Sequence, residues 1–213
     1  MPTQDIAPTI FGYTDEISPD LRGTGHQQGV VIVSGEKGSV SRALYYYDLS
    51  TRAGEPTAAE LRLNVTFVVG KSGFASLVMR VLESFTTDFS WNKKNSSTNW
   101  ATPGPSEPDS ATLTDYVSFT SPTATGAQAI VSDVLTLTQD AIDHRSDVLL
   151  LVLKSSYEDE GEDAYYLGNT PILRITYTST ANIKKVSGVA LASIKKVAGV
   201  AIASVKKVSG VTN

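Results

Sequence analysis

The chain has 213 residues, of which 41% are hydrophobic, and its formal net charge at pH 7 is −4. This length and composition fit a globular chain with one large all-β domain or two small domains. Because cysteine is absent, disulfide frameworks, thiolate metal sites and a cysteine nucleophile are excluded.

The net charge conceals an asymmetry between the two parts of the chain. Residues 181–213 carry six lysines and no acidic residue, which leaves 12 basic and 22 acidic residues, a net charge of −10, for the rest. We therefore expect the C-terminal segment and the body to attract each other or oppositely charged partners, more weakly at high salt.

The N-terminal stretch MPTQDIAPTI lacks both the basic region and the apolar region of a signal peptide. We therefore expect no secretory signal and no membrane-spanning helix at this end.

The first strong strand pattern is SRALYYYDLS, at residues 41–50. Its alternation puts Tyr45, Tyr47 and Leu49 on one side. The other side carries Arg42, Leu44, Tyr46 and Asp48, and the two charged residues predict that this side is nearer water.

The clearest strand pattern follows in AELRLNVTFVVG, at residues 59–70. Strict alternation predicts one apolar face and one polar face, as expected for a half-buried strand. The apolar face would carry Leu61, Leu63, Val65, Phe67 and Val69, and the polar face Arg62, Asn64 and Thr66.

Shorter apolar, β-branched runs predict further strands between turn-rich connections. These runs are Val30 to Val33, Leu77 to Leu82, Tyr116 to Phe119, Val148 to Leu153 and Ile172 to Tyr177.

Two stretches depart from this pattern. AQAIVSDVLTLTQDAI places Ile130, Val134, Leu137 and Ile142 near helical spacing, which predicts one helix. The polar, proline-containing segment from Asp88 to Asp109 predicts a long loop. Many short strands with one long excursion favour an all-β fold, a β-sandwich of the jelly-roll type, over residues 1–180.

The order of SRALYYYDLS, AAELRLNV, a tryptophan-bearing loop, IVSDVLTLTQ, DVLLLVLKSS and TPILRITY resembles the DNRLRE family of carbohydrate-binding-module-like jelly rolls. The resemblance spans roughly residues 10–178 and is most specific at Arg42 to Ser50, Ala59 to Val65 and Pro171 to Tyr177. It implies a jelly-roll fold.

Catalysis is poorly supported by the sequence. His26 and His144 are the only histidines, and neither lies in a nucleophile or metal motif, so we interpret both as loop residues and predict no enzyme. No cofactor is expected, with calcium as the one open alternative.

The acidic stretch YEDEGEDAYY offers oxygen ligands of the kind that calcium prefers. A solvated acidic hairpin tip is the competing interpretation, because the EF-hand spacing is missing. The candidate ligands are Glu158, Asp159, Glu160, Glu162 and Asp163.

Aromatic side chains provide the candidates for a carbohydrate site, since flat rings can stack on sugar faces. The competing interpretation is packing in the core, with the tryptophans fastening the long loop to the body. The candidate residues are Tyr46, Trp91, Trp100, Tyr165 and Tyr166.

The chain ends in an eleven-residue repeat: IKKVSGVALAS, then IKKVAGVAIAS, then VKKVSGV. Eleven residues would fit three helical turns, but each repeat contains a glycine and favours valine and isoleucine, so we predict extended structure with turns at Ser187-Gly188, Ala198-Gly199 and Ser209-Gly210. The predicted assembly residues are the apolar ones: Ile183, Val186, Val189, Leu191, Ile194, Val197, Val200, Ile202, Val205, Val208 and Val211.

Fewer than three full repeats are too few for an isolated solenoid, so the repeats require a partner surface. That surface could be the chain's own body, identical chains around a three-fold axis, or an exposed sheet edge of another protein. Six lysines without arginine or interleaved aromatics make a weak nucleic-acid or membrane footprint, so neither partner is predicted.

Repeats of this form also resemble the terminal tracts of structural proteins of tailed bacteriophages. This second resemblance covers residues 183–211 and implies association with a virion, after synthesis in a host cytoplasm.

We therefore predict a non-enzymatic virion protein, a capsid decoration, head-fibre or tail-appendage subunit. In this prediction residues 181–213 attach to other virion proteins or to identical chains, and the β-sandwich faces outward. The alternative is a free carbohydrate-binding module that recognises a cell-surface or environmental polysaccharide.

Overall fold

The computed structural model describes residues 1–20, 30–36, 39–69, 75–107, 109–120, 124, 128–156, 158, 164–168, 171–178, 185–186, 189–190, 196–197 and 200–201. Within these ranges, the body contains eleven strands and one helix. The strands are β1 Thr3–Ile6, β2 Ile10–Asp15, β3 Val30–Glu36, β4 Ser39–Asp48, β5 Pro56–Val69, β6 Ala75–Val81, β7 Ala111–Thr120, β8 Gln128–Ser132, β9 Val148–Ser155, β10 Ala164–Gly168 and β11 Ile172–Tyr177, and the helix is α1 Leu135–His144.

The strands form two antiparallel sheets that share strand β5. The first half of β5 pairs with β11 and β8, and β1 lies beside β11. The second half of β5 pairs with β10, which continues through β3, β4, β9 and β6 to β7, while β2 also pairs with β4. The fold is therefore an all-β sandwich, as the sequence predicts.

The main core lies between the two sheets, and helix α1 adds Leu137 and Ala141 to it, together with Val134 just before the helix. Burying each large aliphatic side chain contributes about 1.5–3 kcal/mol, so this core dominates the stability of the body. Its strand residues include Ala43, Tyr45, Tyr47, Leu49, Ala59, Leu61, Leu63, Val65, Leu149, Leu151, Leu153, Leu173 and Ile175.

Tyr47 is fully buried in this core, and its hydroxyl donates to the Pro171 carbonyl at 3.2 Å. Burial raises the pKa of the Tyr47 phenol well above its usual value. The hydroxyl is therefore a neutral hydrogen-bond donor between β4 and the start of β11.

The alternation predicted for β5 is confirmed over its first half, where Leu61, Leu63 and Val65 are fully buried. It changes at Thr66, because the pairing with β10 shifts register between Phe67 and Val65. An extra residue on one strand reverses which side chains face inward, and Val68 accordingly packs against the core. The side chains of Phe67 and Val69 lie outside the description.

The prediction that the Arg42 side of β4 is nearer water is wrong at Arg42 and Leu44 and correct at Asp48, which is exposed. Arg42 is 6% exposed and Leu44 is fully buried, while Tyr46 is half-buried. The physical reason is that a second apolar cluster, formed by the connection between β6 and β7, covers this outer face of the sheet.

The predicted helix is correct only in its second half. Residues Gln128–Ser132 form strand β8, which pairs with β5, and the helix begins at Leu135. Asp133 separates the two elements with a left-handed φ of 71°. The backbones of the β-branched residues Ile130 and Val131 therefore pair with β5. The helix starts without a side-chain cap.

The C-terminal repeats contain four short strands: β12 Lys185–Val186, β13 Val189–Ala190, β14 Lys196–Val197 and β15 Val200–Ala201. β12 pairs antiparallel with β13, and β14 with β15. The extended structure predicted for the repeats is confirmed at these eight residues.

Candidate functional site

A long connection closes the outer face of the larger sheet. Residues 82–110, which we call the outer cover, join β6 to β7, and residue 108 lies outside the description. The predicted loop at Asp88 to Asp109 falls within it. The cover and the sheet share one apolar cluster: Leu44, Met79, Val81, Phe85, Phe89, Trp100, Ala111, Leu150 and Val152.

Glu83 organises the inside of the cover. Its carboxylate accepts hydrogen bonds from the Lys94 ammonium, the Ser110 hydroxyl and the Ala101 amide, the last at 2.9 Å. Burial raises the pKa of Glu83, but these donors outweigh it and hold the pKa below its usual value. One carboxylate therefore joins the start, middle and end of the cover.

Arg42 of β4 fastens the cover to the sheet. Its guanidinium carbon lies 4.9 Å from the centroid of the Trp91 ring, and its Nη1 donates to the Gly104 carbonyl. The Gly104 amide in turn donates to the Trp91 carbonyl at 2.7 Å. The cation–π contact and these hydrogen bonds fix two distant points of the cover over one buried arginine.

The same arginine is neutralised by a carboxylate from the connection after β9. Arg42 Nε and Nη2 donate to the two carboxylate oxygens of Glu158 at 2.7 and 2.6 Å. Lys154 Nζ lies 3.2 Å from Glu158 and 3.5 Å from Glu107, a cover residue. Four alternating charges thus connect β4, β9 and the cover.

The structure places the two tryptophans of the carbohydrate hypothesis in the interior. Trp91 is 9% exposed and Trp100 is 3% exposed, and the Trp100 indole donates to the Ser90 carbonyl at 2.9 Å. A sugar ring has no open tryptophan face to stack on in this arrangement. Both rings instead fasten the cover, which was the competing interpretation.

Of the remaining carbohydrate candidates, the structure describes the side chain of Tyr46 alone. Tyr46 packs edge-on against Phe85, with ring centroids 6.2 Å apart. The side chains of Tyr165 and Tyr166 lie outside the description, and their backbones pair with β3 and β5. A sugar site at these two tyrosines therefore stays a prediction.

Glu158 is the one acidic residue of the acidic stretch that the structure describes, and Arg42 and Lys154 bind its carboxylate. Asp159, Glu160, Glu162 and Asp163 lie outside the description. Within the described ranges, no group of three or more acidic or histidine side chains is placed to hold a metal ion.

Both histidines were predicted to lie in loops. His26 lies outside the description, but the prediction is wrong for His144, which is the last residue of helix α1 and has an exposed side chain. Its Nδ1 lies 3.4 Å from Asp140, which also accepts hydrogen bonds at 2.7 Å from Arg80 and Arg145. Burial raises the pKa of Asp140, but the two arginines outweigh it and lower the pKa overall. This carboxylate links the helix to β6.

The two described hairpins of the C-terminal repeats have the same register. Val186 pairs with Val189 in the first, and Val197 pairs with Val200 in the second, eleven residues later. Each forms a separate two-stranded sheet, and neither pairs with a body strand among the described residues. The predicted turns at Ser187-Gly188, Ala198-Gly199 and Ser209-Gly210 lie outside the described residues. So do seven of the predicted assembly residues: Ile183, Leu191, Ile194, Ile202, Val205, Val208 and Val211.

Sequence reasoning missed the charged network that holds the cover. The sequence contains one sign of this network, the arginine Arg42 within strand β4. Burying a charge there costs free energy unless an opposite charge pairs with it. The alternation of residues in β4 instead predicts that the Arg42 side chain faces water.

Together these features define a β-sandwich with a fastened outer cover and a basic, strand-forming repeat segment. Comparison with protein-family models and with curated proteins gives no match for this chain. No helix in the described part of the chain is long and apolar enough to cross a membrane.

Proposed function

We propose that this chain is a non-enzymatic structural subunit of a virion, a capsid decoration, head-fibre or tail-appendage protein. In this proposal a jelly-roll body faces outward, and residues 181–213 attach it to other virion proteins or to identical chains. The resemblances to the DNRLRE jelly rolls and to bacteriophage terminal tracts supply the class of protein.

The observation that carries the proposal is the pair of equivalent hairpins in the repeats. An isolated two-stranded hairpin is marginally stable in water, and each described hairpin has only two paired residues per strand. Since neither continues a described sheet of the body, their outer backbone edges, which pair with no other described strand, suit strand addition to another surface.

Charge indicates what kind of surface this is. The repeats contribute six positive charges, and the rest of the chain has a net charge of −10. Repeats from two chains would repel each other without an acidic surface between them, so the partner surface is acidic. The body of a second copy is one such surface, which supports a homo-oligomer.

Attachment would combine backbone hydrogen bonds with burial of the valine and isoleucine side chains. Apolar burial contributes about 25 cal/mol per Å². The lysines add an attraction that salt screens over a Debye length of roughly 8 Å at physiological ionic strength.

The test is incorporation into particles. We expect mass spectrometry to detect the full chain in gradient-purified particles, and a chain ending at residue 180 to be absent from them. Folding of the truncated chain is expected to persist, because every described body strand pairs within residues 3–177.

A matched control keeps the length and composition of residues 181–213 but scrambles their order. We expect this control to fail in the same way as the truncation, since pairing depends on the eleven-residue register. Normal incorporation of either variant would contradict the proposal. A monomeric full chain that binds polysaccharide and never enters particles would favour the carbohydrate-binding alternative.

A further inference from the structure

We propose that the outer cover is an acid-released flap, which opens from the sandwich before the sandwich itself unfolds. The flap consists of the described residues of the outer cover, 82–107 and 109–110, and it is independent of the proposed function of the repeats. The proposal rests on how differently the two parts of the body are held.

The sandwich is held by backbone ladders between eleven strands, and protonation of side chains does not break these hydrogen bonds. The described cover has one isolated bridge, between Lys93 and Asn99, and its backbone hydrogen bonds lie mostly within the cover itself. Apolar contact, side-chain hydrogen bonds and charged pairs are its main fastening to the strands beneath it. Regions with few ladder hydrogen bonds open at lower free energy than the sheets beside them.

Three carboxylates take part in different ways: Glu83 holds the cover together, Glu107 pairs the cover with β9, and Glu158 neutralises the arginine that contacts the cover. Glu83 faces Lys94 and Ser110 inside the cover. Glu107 faces Ser106 and, from β9, Lys154. Glu158 faces Arg42 of β4 as well as Lys154.

One further carboxylate touches the cover from the segment after β2. Asp20 accepts a hydrogen bond from the Asn92 side chain at 3.3 Å, and the Asn92 amide donates to the Pro19 carbonyl. Asn92 is neutral, so this contact adds no ion pair to the fastening.

The direction of the pH dependence follows from Glu83 and Glu107. Burial raises the pKa of each, but the Lys94 and Ser110 donors at Glu83, and the Ser106 and Lys154 donors at Glu107, hold both pKa values below the usual 4.5. A lowered pKa in the folded state gives a stabilisation that is complete above 4.5 and is lost as the pH falls through the folded-state value. Acid therefore loosens the cover.

Opening would uncover the apolar outer face of the larger sheet. Leu44, Met79 and Val152 are fully buried there beneath the cover. The flap thus couples acidification to exposure of an apolar surface.

The chain provides its own reporter for this motion. Its two tryptophans both lie in the cover, so tryptophan emission reports on the cover alone, whereas the far-ultraviolet circular dichroism reports mainly on the strands. In an acid titration of the full chain, we expect the emission to shift to the red at a higher pH than the loss of the strand signal.

The matched variants are Glu83→Gln and Glu55→Gln. Glu83→Gln removes one of the carboxylates whose ionisation holds the cover closed. The red shift of the tryptophan emission is therefore expected at a higher pH, or at a lower denaturant concentration, than in the unchanged chain. Glu55 is exposed between β4 and β5, and its substitution is expected to leave the emission midpoint unchanged.

Coincident emission and dichroism midpoints in the unchanged chain would overturn the proposal. So would a Glu83→Gln emission midpoint equal to that of Glu55→Gln. The first comparison needs no variant, so it decides the proposal even if Glu83→Gln does not fold.

Discussion

Replacing Arg42 with leucine is expected to lower the free energy of unfolding by about 3–5 kcal/mol, the range for breaking a buried ion pair from one side. The Arg42 and Glu158 side chains are only 8% and 14% exposed, so the substitution leaves a carboxylate largely cut off from water. It also removes the donor to the Gly104 carbonyl and the cation over Trp91. Denaturant unfolding followed by circular dichroism measures the effect.

The matched control is Arg62→Leu on β5. Arg62 pairs with Glu60, but their side chains are 24% and 38% exposed, so this pair is expected to contribute about 1 kcal/mol or less. Equal losses in the two variants would contradict the role assigned to Arg42. In Arg42→Leu, Lys154 still places one positive charge beside Glu158. The loss in free energy of unfolding is therefore expected near the lower end of the range given for this substitution.

Gly104→Ala is expected to destabilise the protein by about 3 kcal/mol, because overpacking and a left-handed backbone each cost about 1–3 kcal/mol. The φ of Gly104 is +70°, and an added Cβ would lie 2.6 Å from Trp91 Cη2 and 2.8 Å from Arg42 Nη1. Thermal and denaturant unfolding measure the loss.

Two comparisons make this prediction specific to the cover. Gly54→Ala adds a Cβ at 3.0 Å from the Tyr177 side chain and 3.1 Å from the Thr178 carbonyl, without a left-handed φ, so a smaller loss is expected. Trp91→Phe removes the clashing ring atoms, and Gly104→Ala is expected to cost less in that background than in the unchanged chain. Additive losses would mean that Trp91 is not the neighbour that Gly104 accommodates.

Local patterns predicted the parts of the fold that depend on neighbouring residues. Leu61, Leu63 and Val65 alternate with polar residues and are buried as predicted. The pattern gives no warning of the register shift after Val65, because a bulge depends on pairing with β10, about a hundred residues away in sequence. The same limit explains the helix that proved to be half strand, since β8 forms by pairing with β5.

How the outer cover is fastened to the sheet could not be predicted from the sequence. The segment was predicted as a loop fastened by Trp91 and Trp100, but nothing local connects it to the Arg42 face of β4. Paired charges such as Arg42 with Glu158, 116 residues apart, resemble solvent-exposed charges in a sequence pattern. Burial and pairing become visible only once the strands are assembled.

The proposed function depends most on the proposed attachment of residues 181–213 to another surface. Hydrogen exchange of these residues, compared between the isolated monomer and the assembled particle, tests it most directly. We expect near-unprotected exchange in the monomer and strong protection in the assembly, recurring every eleven residues. Strong protection in the isolated monomer would contradict this attachment.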